Sequence, residues 1–229
     1  MTNNEILTDL PQNEKAARGF SRRNFLGLAG GLVAATALLD SCSKSDENPA
    51  VTTLTNNDTG ILNYAYALEQ LEAAFYTRVI DTGFYTGATD NEKALLTDIR
   101  DHEVAHREFF KAALGTKAIG TVGVNFDAID FTSRDSVLGA AKTFEDLGVS
   151  AYNGVGVYIS NPDYLLLAGK IVSVEARHAA YIRDLISNGT FAGGDAQIDK
   201  NGMEVSKKPS VVLAAASSFI TTKINSQLP

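Results

Sequence analysis

One motif occurs twice in this chain, as Glu103-Val104-Ala105-His106 and as Glu175-Ala176-Arg177-His178. A further glutamate precedes each copy, Glu69 before the first and Glu145 before the second. Because residues three apart on a helix share one face, each motif can present a carboxylate and an imidazole to the same point. If these segments belong to four helices of one bundle, the six side chains converge on one centre.

The spacing of apolar residues supports this arrangement, because they recur three and four apart in long stretches, as in amphipathic helices. The predicted helices run from Thr59 to about Val79, from about Asp90 to Leu114, from about Ser133 to Ile159, and from after Asn161-Pro162 to about Ser187. Asp58 is expected to cap the first helix, and Gly115 is expected to end the second.

The connections between these helices predict the topology. The third and fourth helices are joined by a few residues, which makes them antiparallel neighbours. Thr116 to Thr132 joins the second and third helices and can span about 55 Å when extended, whereas each helix is roughly 35 Å long. We therefore predict an all-α protein, a ferritin-like four-helix bundle with one long crossover between helices 2 and 3. A short C-terminal helix is expected from Ser210 to about Lys223.

The residue types at the predicted centre indicate metal binding. Four ionised glutamates cannot be buried without compensating charge, and two divalent ions balance them if both histidines are neutral. Oxygen and imidazole ligands without a thiolate suit iron or manganese. We predict two iron ions, or manganese, held by Glu69, Glu103, His106, Glu145, Glu175 and His178. The glutamates that stand outside the two motifs would either bridge the ions or complete the set.

Glu72 is a competing candidate on the first helix, and the repeat favours Glu69. Tyr76 follows Glu69 by seven residues, as Tyr152 follows Glu145. Each tyrosine could donate a hydrogen bond to a ligand carboxylate of a neighbouring helix; the alternative is that both are ordinary core aromatics. Glu72 and Asp146 are expected at the surface or the rim of the bundle, and His102 is expected to be exposed and to point away from the centre.

Composition excludes several other classes of site. The chain has 229 residues, a net charge of -7 and one cysteine, and it lacks the basic patches that nucleic-acid binding requires. A single cysteine excludes an intrachain disulfide and a cysteine-rich metal module.

The first 41 residues predict an export signal. Arg22-Arg23 precedes the apolar run Phe25 to Leu39, which is too short to span a bilayer, and the pair resembles a twin-arginine signal that engages the twin-arginine export machinery. Leu39-Asp40-Ser41-Cys42 resembles a lipoprotein processing site, so Cys42 is expected to carry the lipid; the alternative is a free thiol. We therefore expect a signal at 1–41, a flexible tether at 42–57 and a bundle domain at 58–229, lipid-anchored in the periplasm or at the outer membrane or cell surface.

The motifs also resemble a known family. The resemblance covers about Asn57 to Ser187 and is carried by Leu68 to Tyr76, Asp101-His102-Glu103, Phe144 to Asn153, and Val174 to His178. These segments are similar to the ferritin-like domain family that includes desiccation-related proteins. The resemblance implies a ferritin-like bundle with a di-iron or di-manganese site, whereas the reaction of the family is poorly defined.

Two functions follow from this interpretation. The first is redox chemistry of the ferroxidase or peroxidase type, meaning Fe(II) oxidation or peroxide removal at the cell envelope. The second is a non-catalytic envelope or desiccation-stress protein in which the metal is structural or absent. A lipid anchor argues against a closed storage cage, and the sequence leaves open whether the chain forms a homo-oligomer.

Overall fold

A computed structural model describes residues 51–229 of the chain. The predicted export signal, Cys42 and the first part of the predicted tether lie outside the described residues.

Four long helices dominate the described chain and match the four that periodicity predicts. The elements are β1 (Thr52–Leu54), α1 (Asp58–Ile80), α2 (Gly83–Gly87), α3 (Asp90–Leu114), α4 (Arg134–Val155), α5 (Pro162–Ile186), α6 (Pro209–Ala216) and β2 (Ile224–Ser226). Single turns of 3-10 helix follow α3 and α4, at Gly115–Lys117 and Gly156–Tyr158. The predicted all-α fold is therefore confirmed.

Local capping residues set where the long helices begin. Thr89 and Glu92 form a capping box at the start of α3, each satisfying the backbone N–H of the other. At the start of α1 the cap is Asn57, whose side chain accepts a hydrogen bond from the backbone N–H of Gly60. The prediction that Asp58 is the cap was wrong, because its carboxylate instead accepts hydrogen bonds from the backbone N–H groups of residues 160 and 161, at 2.8 and 2.9 Å.

Contacts at the helix ends fix the direction of each helix. Arg134, at the start of α4, donates to the Glu92 carboxylate at the start of α3 (2.6 Å) and to the Leu185 carbonyl at the end of α5 (2.9 Å). At the opposite end, the start of α1 meets the link between α4 and α5 through Asp58. Helices α3 and α4 therefore run in the same direction, as the long crossover predicts.

The crossover lies along the bundle and buries its apolar residues against it. Val122, Phe126 and Phe131 are buried, and the Gln70 side chain of α1 accepts a hydrogen bond from the Val122 N–H at 2.9 Å. The apolar residues that the sequence places in this long loop thus extend the bundle core.

The C-terminal helix is shorter than predicted. It ends at Ala216 rather than near Lys223, because the following residues pair with the crossover. The Thr221 N–H donates to the Gly123 carbonyl at 2.8 Å, and Ile220 forms an antiparallel bridge with Val124. These contacts satisfy the backbone in an extended form that competes with helix.

The end of the predicted tether also belongs to the folded domain. Strand β1 pairs in parallel with β2, with Thr52 opposite Ile224 and Leu54 opposite Ser226. Residues 52–54 are therefore part of the domain, and the predicted boundary at residue 57 was too late.

Among residues 51–229, none of the helices combines the length and apolar character that crossing a membrane requires.

An aromatic cluster forms the centre of the larger hydrophobic core. The ring of Phe75 is fully buried and lies 5.0 Å from those of Tyr76 and Phe144, and 5.9 Å from those of Phe126 and Phe131. It joins α1, α4 and the crossover in one packed unit.

We predict that Phe75→Ala lowers the free energy of unfolding by about 3–5 kcal/mol, because it removes a buried ring and leaves a cavity. Phe191→Ala is the matched control, since that ring is 61% exposed and its loss should cost less than about 0.5 kcal/mol. Urea unfolding followed by circular dichroism measures both. Equal effects of the two substitutions would contradict this description of the core.

Candidate metal centre

The six predicted ligands meet at the middle of the bundle. Helix α1 carries Glu69 and α4 carries Glu145, whereas α3 and α5 each carry one glutamate–histidine motif. All four glutamates have no solvent-exposed surface. The three-residue spacing works as expected, because it directs both members of each motif towards the bundle axis.

The first group of predicted ligands surrounds His106. Its Nδ1 lies 3.3 Å from Glu69 Oε2, 3.8 Å from Glu103 Oε2 and 2.8 Å from Glu175 Oε1. Ligand atoms from these four residues all lie within 4.8 Å of one another. We call this group half-site A.

The second group surrounds His178. Its Nδ1 lies 2.9 Å from Glu103 Oε1, 3.5 Å from Glu145 Oε2 and 3.4 Å from Glu175 Oε2. Ligand atoms from His178 and these three glutamates also lie within 4.8 Å of one another. We call this group half-site B.

The two half-sites share the glutamates of the motifs. Glu103 and Glu175 each direct one carboxylate oxygen to half-site A and the other to half-site B. Glu69 belongs only to half-site A, and Glu145 only to half-site B. Of the two alternatives left open by the sequence, the glutamates outside the motifs complete the half-sites, and the motif glutamates lie between them.

Two tyrosines hold the outer oxygens of the unshared glutamates. The Tyr76 hydroxyl donates to Glu145 Oε1 at 2.5 Å, and the Tyr152 hydroxyl donates to Glu69 Oε1. Each tyrosine therefore binds the glutamate of the other repeat, across the helix interface. The hydrogen bonds leave one oxygen of Glu69 and one of Glu145 facing the centre.

The atoms that face the centre contact one another but make no hydrogen bond to any described residue outside the cluster. They are Oε2 of Glu69, both oxygens of Glu103, Nδ1 of His106, Oε2 of Glu145, both oxygens of Glu175 and Nδ1 of His178. Leaving one buried polar atom unsatisfied costs about 1–3 kcal/mol, and more when it is charged. Eight such atoms, four in each half-site, make a set that could hold metal ions.

The charges of the cluster are tightly coupled. Burial alone would lower the pKa of His106, but its contacts with Glu103, Glu175 and Glu69 outweigh burial and raise that pKa to about 12. The pKa of His178 rises to about 12 for the same reason. In the metal-free protein both imidazoles therefore carry the positive charge that the carboxylates require.

The carboxylates respond in opposite directions according to their neighbours. Burial raises the pKa of Glu145 to about 8, although His178 opposes the shift. Burial also disfavours the ionised form of Glu103, yet the contacts with His106 and His178 prevail and lower its pKa to about 2. The shared glutamate between the two imidazoles is thus held ionised.

Glu72 was wrongly assigned to the surface or rim, because its side chain is buried beside the centre. Burial first, and then the charges of Glu103 and Glu175, raise its pKa well above the ordinary value, which favours the neutral acid. A Cβ at Gly148 would lie 3.1 Å from Glu72 Oε1, so the glycine in α4 leaves room for this carboxyl group. Glu72 lies outside both half-sites.

Asp146 is partly buried, which agrees with a position at the rim of the bundle, and it forms an ion pair with Arg183. The guanidinium further donates to the Phe191 carbonyl at 3.1 Å, and Gln197 donates to Asp146 Oδ2 at 3.0 Å. These contacts attach the loop after α5 to the bundle. The only sequence signal was an arginine in the last turn of a predicted helix.

The prediction that His102 points away from the centre was wrong. The residue is exposed, but its Nδ1 lies 2.9 Å from Nε2 of His178. Burial and the neighbouring His178 lower the pKa of His102, which favours the neutral ring. His102 therefore contacts a member of half-site B from the outside.

Comparison with known proteins agrees with this architecture. A family model described as ferritin-like domain matches residues 57–188, which contain all four long helices and all six converging residues. No curated protein matches the chain. The chain belongs to the ferritin-like domain family.

Proposed function

We propose that this protein is an exported two-metal carboxylate protein that uses iron or manganese for redox chemistry at the cell envelope. The reactions that fit best are oxidation of Fe(II) and removal of peroxide. The observation that carries the proposal is the set of eight buried ligand atoms that have no hydrogen-bond partner outside the cluster and are divided equally between two half-sites.

The donor set fits such ions. Half-site A and half-site B each offer one imidazole nitrogen and three carboxylate oxygens, and neither contains a thiolate. Oxygen and imidazole donors suit iron and manganese better than they suit copper(I). Two divalent ions would also balance the four carboxylates, which otherwise depend on protons.

The residues around the centre control its chemistry. When bound, a pair of iron or manganese ions supplies electron transfer in which both ions change valence. Glu103 and Glu175 each place one oxygen in each half-site. An ion bound in one half-site would therefore change the charge that the other half-site offers. Tyr76 and Tyr152 hold the outer oxygens of Glu145 and Glu69, so each of these glutamates would have one oxygen free to hold an ion.

The export part of the proposal is supported by the sequence of residues 1–42. Arg22-Arg23, the apolar run after it and Cys42 together favour export and a lipid anchor in the membrane. A twin-arginine route carries folded proteins, which suits a metal inserted before export. The resemblance to desiccation-related proteins fits an envelope location under oxidative or drying stress.

We predict that Glu103→Gln lowers metal affinity in both half-sites, because the shared oxygens lose their charge. The matched control is Glu108→Gln on the exposed face of the same helix. Plasma emission spectrometry after desalting should find two ions per chain in the wild type and the control, and clearly fewer in Glu103→Gln. Two retained ions in that variant would contradict the ligand assignment.

The same samples test the reaction. Protein loaded anaerobically with Fe(II) should consume dioxygen or hydrogen peroxide in proportion to its iron, and Glu103→Gln should lose this consumption together with the metal. Loaded wild-type protein that consumes neither oxidant would contradict the redox function and favour a structural metal in a non-catalytic envelope protein.

We predict that metal binding releases protons and strengthens as pH rises. The pKa values of His106 and His178 are raised to about 12 in the metal-free protein, so both rings hold a proton at neutral pH that the ion must displace. Lower pH favours the protonated, metal-free form. Calorimetric Mn(II) titrations in buffers of different ionisation enthalpy should report about two or more protons released on full loading. Uptake without proton release, or affinity independent of pH between 6 and 8, would contradict the assigned ligands.

A further inference from the structure

The two half-sites differ outside their ligands, despite the repeat that produces them. His102 precedes Glu103, whereas Val174 stands at the equivalent position before Glu175. Nδ1 of His102 lies 2.9 Å from Nε2 of His178, and the planes of the two rings are nearly parallel, with an interplanar angle of 11° and centroids 5.1 Å apart. A valine cannot make this hydrogen bond, so the repeat does not provide it for His106.

The direction of the hydrogen bond follows from the other face of His178. Its Nδ1 is directed at the carboxylate oxygens of half-site B. This nitrogen would therefore have to be unprotonated to hold an ion. The proton of the neutral ring then lies on Nε2. The His178 Nε2–H therefore donates, and Nδ1 of His102 accepts.

Such a contact has two effects on a ligand. It fixes the tautomer and the ring orientation, and it makes the coordinating nitrogen more basic. Here the accepting ring is exposed at the surface, so it holds a buried ligand in place without belonging to the packed core.

We propose that His102 is a positioning residue that makes half-site B bind its metal ion more tightly than half-site A. This inference rests on the proposed two-metal function. It adds a difference in metal affinity between the half-sites, which the six ligands alone do not explain. The ion in half-site B binds first, and the ion in half-site A binds and leaves more readily.

Mn(II) titrations of four variants test the inference, with free Mn(II) measured by its electron paramagnetic resonance signal. His106→Ala leaves half-site B, and His178→Ala leaves half-site A; each is prepared with and without His102→Leu. In the His106→Ala background, His102→Leu should weaken Mn(II) binding about 10- to 100-fold. In the His178→Ala background it should have no effect, because the partner ring is already absent.

Two further variants separate positioning from a general loss of structure. His102→Asn places an amide oxygen that can accept from His178 and should restore binding, whereas Val174→Ala at the equivalent position should change neither half-site. In the otherwise wild-type chain, His102→Leu should weaken the tighter of two binding steps and spare the weaker one.

The possible results are distinct. Equal weakening in both backgrounds, or none in either, would overturn the role of His102 while leaving the two-metal function intact. If the wild-type chain bound neither Mn(II) nor, under anaerobic conditions, Fe(II), the proposed function and this inference with it would be overturned.

Discussion

Burial of four glutamates at one point is the constraint on which the rest of this structure depends. Each of these side chains comes from a different helix and has no exposed surface. Charges of one sign in an apolar interior are strongly unfavourable unless cations or protons compensate them. The bundle therefore needs positive charge at its centre. The histidines lie where they can either carry a proton or help to bind a metal ion.

The repeated pattern gives this centre its approximate symmetry. Each repeat supplies one unshared glutamate, one tyrosine and one glutamate–histidine motif. The tyrosines cross between repeats, so that Tyr76 binds Glu145 and Tyr152 binds Glu69. Neither repeat can complete its own set of contacts alone, which couples the two halves of the bundle through buried hydrogen bonds as well as through the shared glutamates.

Much of this could be predicted from sequence because it depends on local periodicity. Helical spacing places Glu103 and His106 on one face wherever the helix packs, and the length of the crossover restricts the direction of α4. The sharing of Glu103 and Glu175 could not be predicted, because it depends on how far each helix is rotated towards the axis. A one-dimensional pattern contains no information on that rotation.

The errors have the same origin. Glu72 is charged, and charged residues are usually exposed, but Gly148 makes room for its carboxyl group inside the bundle. His102 was missed as a contact because its partner lies 76 positions away in the chain. The pairing of Thr52–Leu54 with residues near the C-terminus is equally distant in sequence, and neither segment has a strand pattern of its own.

The most direct test of the central claim is an anomalous-scattering map from crystals of the iron- or manganese-loaded protein. The account predicts two peaks per chain about 3.5–4 Å apart, one beside Nδ1 of His106 and the other beside Nδ1 of His178. A map without peaks among the four buried glutamates, in protein shown to be loaded with metal, would contradict it.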